Sequence, residues 1–363
     1  MGKKNKIKNT NNNYPFITVC TPTFNRRPFI PIMMKCFDHQ TYPKDKIEWI
    51  IVDDGTDKIE DLVKDIPQVK YLKYEEKLTL GKKRNIANDA AKGEIIIFMD
   101  DDDYYPPERF AHAVEVLLKT PNALCAGSSA MFIHFKHINK MFQFGPYGPN
   151  HATAATFAFK KELLKQTRFN ELSSVAEEKQ FLKDYTIPFV QLESLKTILV
   201  FSHNHNSFDK KELLNQMPNP HVHETALNPS DIVKEPSLLK FFMYDIDDLL
   251  NKYDAGKPKY KPDVIKQLDE IRKTREEMIS KQIAYQNSMQ ILNNPQTLHN
   301  KINELNGMVQ SLTMENNQLK DKANYLENKI KQIINEQIQK KKSENEINHS
   351  SSGPHISFVE NTN

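Results

Sequence analysis

No apolar run in this 363-residue chain approaches the roughly 20 residues needed to cross a bilayer, so a spanning helix is not expected. The opening residues, MGKKNKIKNTNNN, lack the apolar centre of a secretory signal. Cysteine is scarce as well. Cys20, Cys36 and Cys125 are odd in number, far apart and each set in an apolar run, so they read as reduced core residues. Net charge is nearly absent, +3 from 50 basic and 47 acidic residues, which argues against a general affinity for nucleic acid. Together these absences lead to the expectation of a soluble cytoplasmic protein with no transmembrane segment and no nucleic-acid partner.

What is present falls into blocks of different composition. Residues 1–13 and 341–363 are polar and Lys/Asn-rich, and are expected to be disordered tails because they cannot bury enough apolar surface to order themselves. Residues 14–215 alternate apolar strands with amphipathic helices. Residues 216–259 contain Pro218, Pro220, Pro229 and Pro236 and read as a linker carrying one amphipathic helix, PSLLKFFMYDIDDLLNKYD. A helical segment spans 260–294, and a second, beyond Pro295, spans 297–340.

Within the first block, FITVCTP, IEWIIVDDG, QVKYLKY and EIIIFM read as strands. The helical pattern RPFIPIMMKCFDHQ places Phe29, Ile32, Met33, Cys36 and Phe37 on one face, with Pro28 and Pro31 in its first turn. IEDLVKDI is a second helical pattern, and GKKRNIANDAAKG a third, which Gly93 is expected to end. Such alternation implies a doubly wound α/β sheet, whose ligands bind beyond the carboxyl ends of the strands. Both VDDG and MDDDD fall there. Neighbouring carboxylates repel by about 4 kcal/mol per pair at an effective dielectric near 20, so Asp100, Asp101, Asp102 and Asp103 call for protonation, hydrogen bonds or a cation. Hard oxygen ligands select Mn²⁺ or Mg²⁺. Asp103 can alternatively cap the helix expected to begin at PPERF.

ITVCTPTFNRR, HQTYPKDKIEWIIVDDGTD, GKKRNIANDAAKGEIIIFMDDDDYYPPERF and the later acidic pair in SSVAEEKQF occur in this order over about 190 residues. Together they resemble a family-two glycosyltransferase of the GT-A fold, and the DDDDYYPPER motif is similar to that of uncharacterised glycosyltransferases of large DNA viruses. For a viral chain the expected location extends to host cytoplasm or virion. The resemblance implies a nucleotide-sugar donor, held by Pro22, Phe24, Asn25 and Arg26 after the first strand. It places Asp54 on the base, with Asp53 bracing the turn, and Asp101 near the ribose. Lys82, Lys83 and Arg84 are expected to face the diphosphate where a helix opens after Gly81. Asp100 and Asp102 form the D-x-D pair, with Asp102 as metal ligand and the register open by one residue. His203 and His205 in LVFSHNHNSFDKK are candidates for a further ligand, and alternate residues of an extended segment share a face. Glu177 and Glu178 stand where the family commonly has Glu-Asp, which makes Glu178 the general base for an acceptor hydroxyl. Gly145, Tyr147 and Gly148 are candidates for a loop at the donor sugar and the acceptor.

The last helical segment carries a different signal. Leu298, Ile302, Leu305, Val309, Leu312, Asn316, Leu319, Ala323, Leu326, Ile330, Ile333 and Gln337 repeat with 4-3 spacing, which is a heptad seam with Asn316 at an a position. Glu315 faces Lys320, and Lys322 faces Glu327, across a parallel pair. A parallel homodimer through a coiled coil at 297–340 is the expectation. The function expected is a metal-dependent inverting transfer of a sugar, from a UDP-sugar by family frequency, to a hydroxyl on a glycan or protein acceptor. The alternatives are a coiled-coil scaffold with an inactive transferase-like domain, a sugar-nucleotide pyrophosphorylase, and a two-metal polymerase or nuclease that the low net charge disfavours.

Overall fold

The structure is a computed structural model that describes residues 14–216, 219–293 and 295–349. The expected tail at 1–13, and the part of the second tail beyond 349, lie outside the described residues. The chain forms two compact units, one running through Lys273 and one from Thr274.

The first unit begins with β1 (Ile17–Thr23), α1 (Ile30–Asp38), β2 (Ile47–Asp53), α2 (Glu60–Val63), β3 (Val69–Lys73), α3 (Leu80–Ala90), β4 (Ile95–Phe98) and α4 (Arg109–Lys119). It continues with β5 (Cys125–Gly127), β6 (Met131–Phe135), β7 (Lys140–Phe144), β8 (Ala158–Lys160), α5 (Glu178–Phe181), β9 (Phe189–Gln191), β10 (Leu199–Phe201) and β11 (Val222–Glu224). Short helices α6 (Pro229–Ile232), α7 (Pro236–Lys240) and α8 (Ile246–Asn251) precede α9 (Pro262–Asn293), and α10 (Pro295–His349) closes the described chain.

A seven-stranded sheet has the order β3-β2-β1-β4-β8-β5-β9. Its first four strands are parallel, while β8 runs antiparallel to both β4 and β5. The sheet is therefore mixed rather than uniformly doubly wound. All four residues of β4 are buried, because this strand lies between β1 and β8 with both faces covered. On one side Trp49 stacks on Phe37 of α1 at 4.3 Å and donates its indole N–H to Thr21 Oγ1 at 2.9 Å. On the other, Phe98, Phe157, Phe159, Phe169 and Phe181 pack together. The three cysteines are free and buried. A smaller sheet, β10-β6-β7-β11, has its β6–β7 turn at Asn139, which takes the left-handed conformation a tight turn needs.

Several expected boundaries move for identifiable reasons. Pro28 lies in a 3₁₀ turn ahead of α1, and only Pro31 sits in the first turn of the helix. Helix α3 starts at Leu80 rather than after Gly81, because Thr79 caps it by accepting from the Lys82 N–H. Gly93 does not end that helix with a left-handed residue. It is needed because a Cβ there would meet the Thr18 amide at 2.4 Å. Helix α4 begins at Arg109, beyond both prolines of PPERF, and Asp103 is buried away from its start.

The expected linker at 216–259 belongs to the folded body. β11 pairs with β7, and Leu238, Phe241, Phe242, Ile246 and Leu250 are buried in the main core. Prolines punctuate this stretch, but its apolar face was large enough to need covering. At the other end, α10 continues through 341–349, where Lys and Glu are adequate helix formers. Among the described residues no helix is long and apolar enough to cross a membrane.

Candidate active site

The ends of β1 and β4 meet because the two strands are parallel neighbours, which brings Phe24 and Arg26 to Asp100, Asp101 and Asp102. A cavity of about 140 Å³ lies between them, also lined by Pro22, Lys83 and Arg84. It is smaller than the roughly 300 Å³ at the low end of small-molecule sites.

The four aspartates do not carry four equal charges. Arg26 lies 3.4 Å from Asp101 and 3.0 Å from Asp102. Burial works against ionisation of Asp102, but Arg26 and His203 outweigh it and hold its carboxyl well below the usual range. Burial pushes Asp101 up to about 7 despite Arg26. Burial and the charge of Asp102 push Asp103 well above the carboxylate range, and its Oδ1 has no hydrogen-bond partner. Asp100 is raised by burial and opposed by Arg84, whose Nη2 stands 3.6 Å away.

Arg84 connects these acids to the later pair. Its Nε donates to Glu177 Oε1 at 2.8 Å while its guanidinium lies 4.5 Å from the centre of the Phe98 ring. Glu177 is thus held by a cation. Glu178 is not: no other side chain among the described residues hydrogen-bonds its carboxylate. Burial, followed by the charge of Glu177, raises its pKa to about 7. The backbone presenting these acids is strained, with left-handed φ at Ala176, Lys183, Asp184 and Tyr185. Phe181, fully buried and stacked on Phe169 at 4.1 Å, anchors the turn that carries them.

The histidines separate. His203 Nε2 lies 3.3 Å from Asp102 Oδ2, and burial lowers its pKa to about 3, leaving the neutral form that ligates metals. His205 gives its carbonyl to Arg26 at 2.7 Å, while its ring packs near Tyr253 with Nδ1 unpartnered. Among the described residues no group of three or more His, Cys, Asp or Glu side chains is arranged to hold a metal ion. Asp102 and His203 stand side by side, while the His203 ring nitrogens are also engaged, Nε2 with Asn206 Nδ2 at 2.8 Å and Nδ1 with the His205 N–H at 3.2 Å.

The other candidates occupy different places. Asn25, at φ +53°, holds the β1 turn through Thr56, Asp57 and the Ala255 carbonyl and does not line the cavity. Asp53 braces the β2 turn by accepting from Gly55, Ile59 and Tyr71. Asp54 lies behind the wall, paired with Lys83 at 2.7 Å and accepting from the Leu78 N–H at 2.6 Å. Lys82 is exposed, and Lys83, one position on, is the lysine that faces inward. The N–H groups of Gly81 and Lys82 are taken by the Ser173 carbonyl and by Thr79, so the start of α3 offers neither to a phosphate. Tyr147 and Gly148 line a second groove of about 470 Å³, where Ser129 Oγ accepts both their N–H groups. Gly145, at φ +87°, passes so close to Ser129 that a side chain could not fit.

Lys77, Ser174, Ser207, Lys261, Asp263 and Val264 line the first cavity without having been expected there. Asp263 pairs with Lys77 at 2.5 Å and accepts from Ser174 Oγ at 2.5 Å, pinning the first turn of α9 to the wall. No local signal marks this role, since 261–264 reads only as the start of a polar helix.

The family model for glycosyl transferase family 2 matches residues 18–170. The poly(ribitol-phosphate) beta-N-acetylglucosaminyltransferase TarS of Staphylococcus aureus is 32% identical over 109 residues, 26% of this chain and 18% of its own length. A GalNAc(5)-diNAcBac-PP-undecaprenol beta-1,3-glucosyltransferase of Campylobacter jejuni is 29% identical over 177 residues, 43% of this chain and 55% of its own. The chain therefore spans between about a fifth and about half the length of these curated relatives. Among solved structures, the mannosyltransferase PcManGT from Pyrobaculum calidifontis in complex with GDP-Man and Mn²⁺ is 20% identical, with 53% of this chain and 59% of that chain covered at a TM-score of 0.44. The similarity is to transferase enzymes. A likeness to viral proteins is not among these findings, and Glu177, Glu178, His203 and His205 lie beyond the residues matched.

Proposed function

We propose that the protein is a GT-A-type glycosyltransferase that moves a sugar from a nucleoside-diphosphate donor to an acceptor hydroxyl with inversion. The observation carrying this reading is Arg84, whose single guanidinium contacts Asp100 on the cavity side and Glu177 beside Glu178. The acids suited to the leaving diphosphate and the acid suited to the acceptor are thereby held in one frame. Phe24 and Pro22 offer a wall for the nucleoside, and Arg26 keeps Asp101 and Asp102 in place.

Glu178, with a pKa of about 7, can take the proton of an acceptor hydroxyl near neutral pH. The oxygen then attacks the anomeric carbon on the face opposite the leaving group, the bond to the diphosphate breaks, and the nucleoside diphosphate departs. Asp102 and His203 would hold Mn²⁺ or Mg²⁺, whose contribution is to neutralise charge on the departing phosphates. UDP is the first nucleotide to test, in view of the similarity to an N-acetylglucosaminyltransferase. The acceptor is a hydroxyl of a glycan or protein. The exposed 4-3 seam of α10 adds a parallel homodimer to this reading.

A panel of nucleotide sugars with and without Mn²⁺ tests the proposal, using melting temperature for binding and released nucleoside diphosphate for turnover. At least one donor should raise the melting temperature only with the metal and be consumed. No stabilisation and no release with any donor would favour the scaffold reading.

A further inference from the structure

Five cationic side chains line the acid-walled cavity: Arg26, Lys77, Lys83, Arg84 and Lys261. Four of them touch a carboxylate. Arg26 meets Asp101 and Asp102, Lys77 meets Asp263, Lys83 meets Asp54, and Arg84 meets Glu177 and Asp100. Lys261 has no such ion pair among the described residues. Its Nζ donates to Ser207 Oγ at 2.8 Å, although only 7% of the residue is exposed. A buried ammonium without an opposite charge is unfavourable, and the side open to an anion is the cavity.

The position of Lys261 is fixed by backbone rather than chance. It precedes Pro262, which restricts its conformation. Its N–H donates to the Pro258 carbonyl at 2.8 Å, and its own carbonyl accepts from Ile265 in the first turn of α9. Asp263 and Gln267, on that same helix, are tied to Ser174 at 2.5 and 2.8 Å. The Lys261 ammonium stands 6.0 Å from the centre of the Phe24 ring, with Lys77 and Lys83 at 5.3 and 5.9 Å from the same ring. Burial, followed by the charge of Arg26, lowers the Lys261 pKa to about 7, and Asp101 and Asp102 oppose that shift from beyond contact distance, as a bound anion would. Lys261 therefore lies between the wall suited to a nucleoside and the acids suited to a metal.

We propose that Lys261 binds the diphosphate of the donor, a contact supplied by the chain well beyond the residues that match the family. This inference rests on the reading of the cavity as a nucleoside-diphosphate-sugar site. Lys261 supplies the one cavity charge whose partner is the ligand itself.

Calorimetric titration of the full chain with Mn²⁺ separates the two ideas. The ligands are UDP and GDP, and the nucleoside of whichever binds better serves as the uncharged control. Lys261→Met is expected to weaken the diphosphate about 10- to 100-fold and leave the nucleoside within about twofold, while Lys261→Arg restores most of the affinity. Equal diphosphate affinity in wild type and Lys261→Met overturns the assignment while the donor-site reading stands. Parallel loss of nucleoside and diphosphate, with an unchanged melting temperature, overturns it as well and assigns Lys261 to packing of the cavity wall. If Lys261→Met lowers the melting temperature, Lys261→Arg decides, since failure of the arginine to restore diphosphate binding in a folded chain also overturns it. Binding of neither diphosphate by the wild-type chain removes the donor-site reading and the assignment together.

Discussion

Buried charge in the first unit and exposed apolar surface in the second pose opposite problems. Around the cavity, Arg26, Lys77, Lys83 and Arg84 have each found acids in the same chain, so the cluster folds as a closed electrostatic set apart from Lys261. Along α10, Leu305, Val309, Leu312 and Leu319 are each at least half exposed despite heptad spacing. One region has satisfied itself, whereas the other presents an exposed apolar seam that the proposed parallel dimer would cover. Covering each such leucine is worth roughly 1.5–3 kcal/mol, enough in sum to drive association.

The largest expected effect breaks the chemistry while sparing the fold. Glu178→Gln should lower kcat for sugar transfer by about 10²- to 10⁴-fold with donor KM little changed, because it removes the proton acceptor and leaves the Arg84–Glu177 pair. Unchanged turnover would exclude Glu178 as the base. Next, chelation with EDTA should abolish transfer and added Mn²⁺ restore it, whereas Asp102→Asn should cost about a hundredfold or more that excess Mn²⁺ does not recover. Full activity in EDTA would sink the metal assignment.

The third prediction addresses the helix. Leu312→Glu combined with Leu319→Glu should turn a dimer into a monomer by light scattering, since like charges would face each other across the seam. Turnover on a small acceptor should stay within about twofold. A monomeric wild-type chain would refute the seam as an interface.

The smallest effects concern pH. With a pKa raised to about 7, Glu178 is protonated below that pH, so kcat should rise through about 7 as the base ionises. Stability runs the other way. The unfolded chain releases this proton near the usual glutamate value, so the stabilising contribution is complete below that value and is lost as pH rises to about 7. The melting-temperature advantage of Glu178→Gln over wild type should accordingly be larger at pH 8 than at pH 5, by roughly 5–10 °C. A flat difference between the two pH values would show that Glu178 is not perturbed in the fold.

Much of the body was legible because its signals are local. Apolar runs located β1, β2 and β4, the last two with acids at their ends. Alternation could not show that β8 runs antiparallel, since strand direction depends on how the chain returns between β4 and β5. It also left open which of Lys82 and Lys83 points inward, because one residue turns a helix by about 100° and Thr79, not Gly81, sets the start. Residues 216–259 read as a linker because prolines mark turns there, but those turns lie within a folded segment whose apolar face closes on a core formed by residues far away in sequence.

The sequence by itself determined the early apolar strands, the acids after β2 and β4, the Glu177–Glu178 pair and the 4-3 spacing of α10, all of which follow from side-chain period and residue chemistry within short windows. Only tertiary structure decided which acids ionise. Arg26 comes from the turn after β1 and His203 from the loop after β10, and their convergence on Asp102 holds its carboxyl well below the usual range, while burial and the charge of Asp102 hold Asp103 well above it. The same holds for Lys261, whose place in the cavity arises because contacts to Lys77 and Ser174 dock the start of α9 there. A carboxylate's pKa depends on charges within a few ångströms, and those distances exist only after the chain has folded.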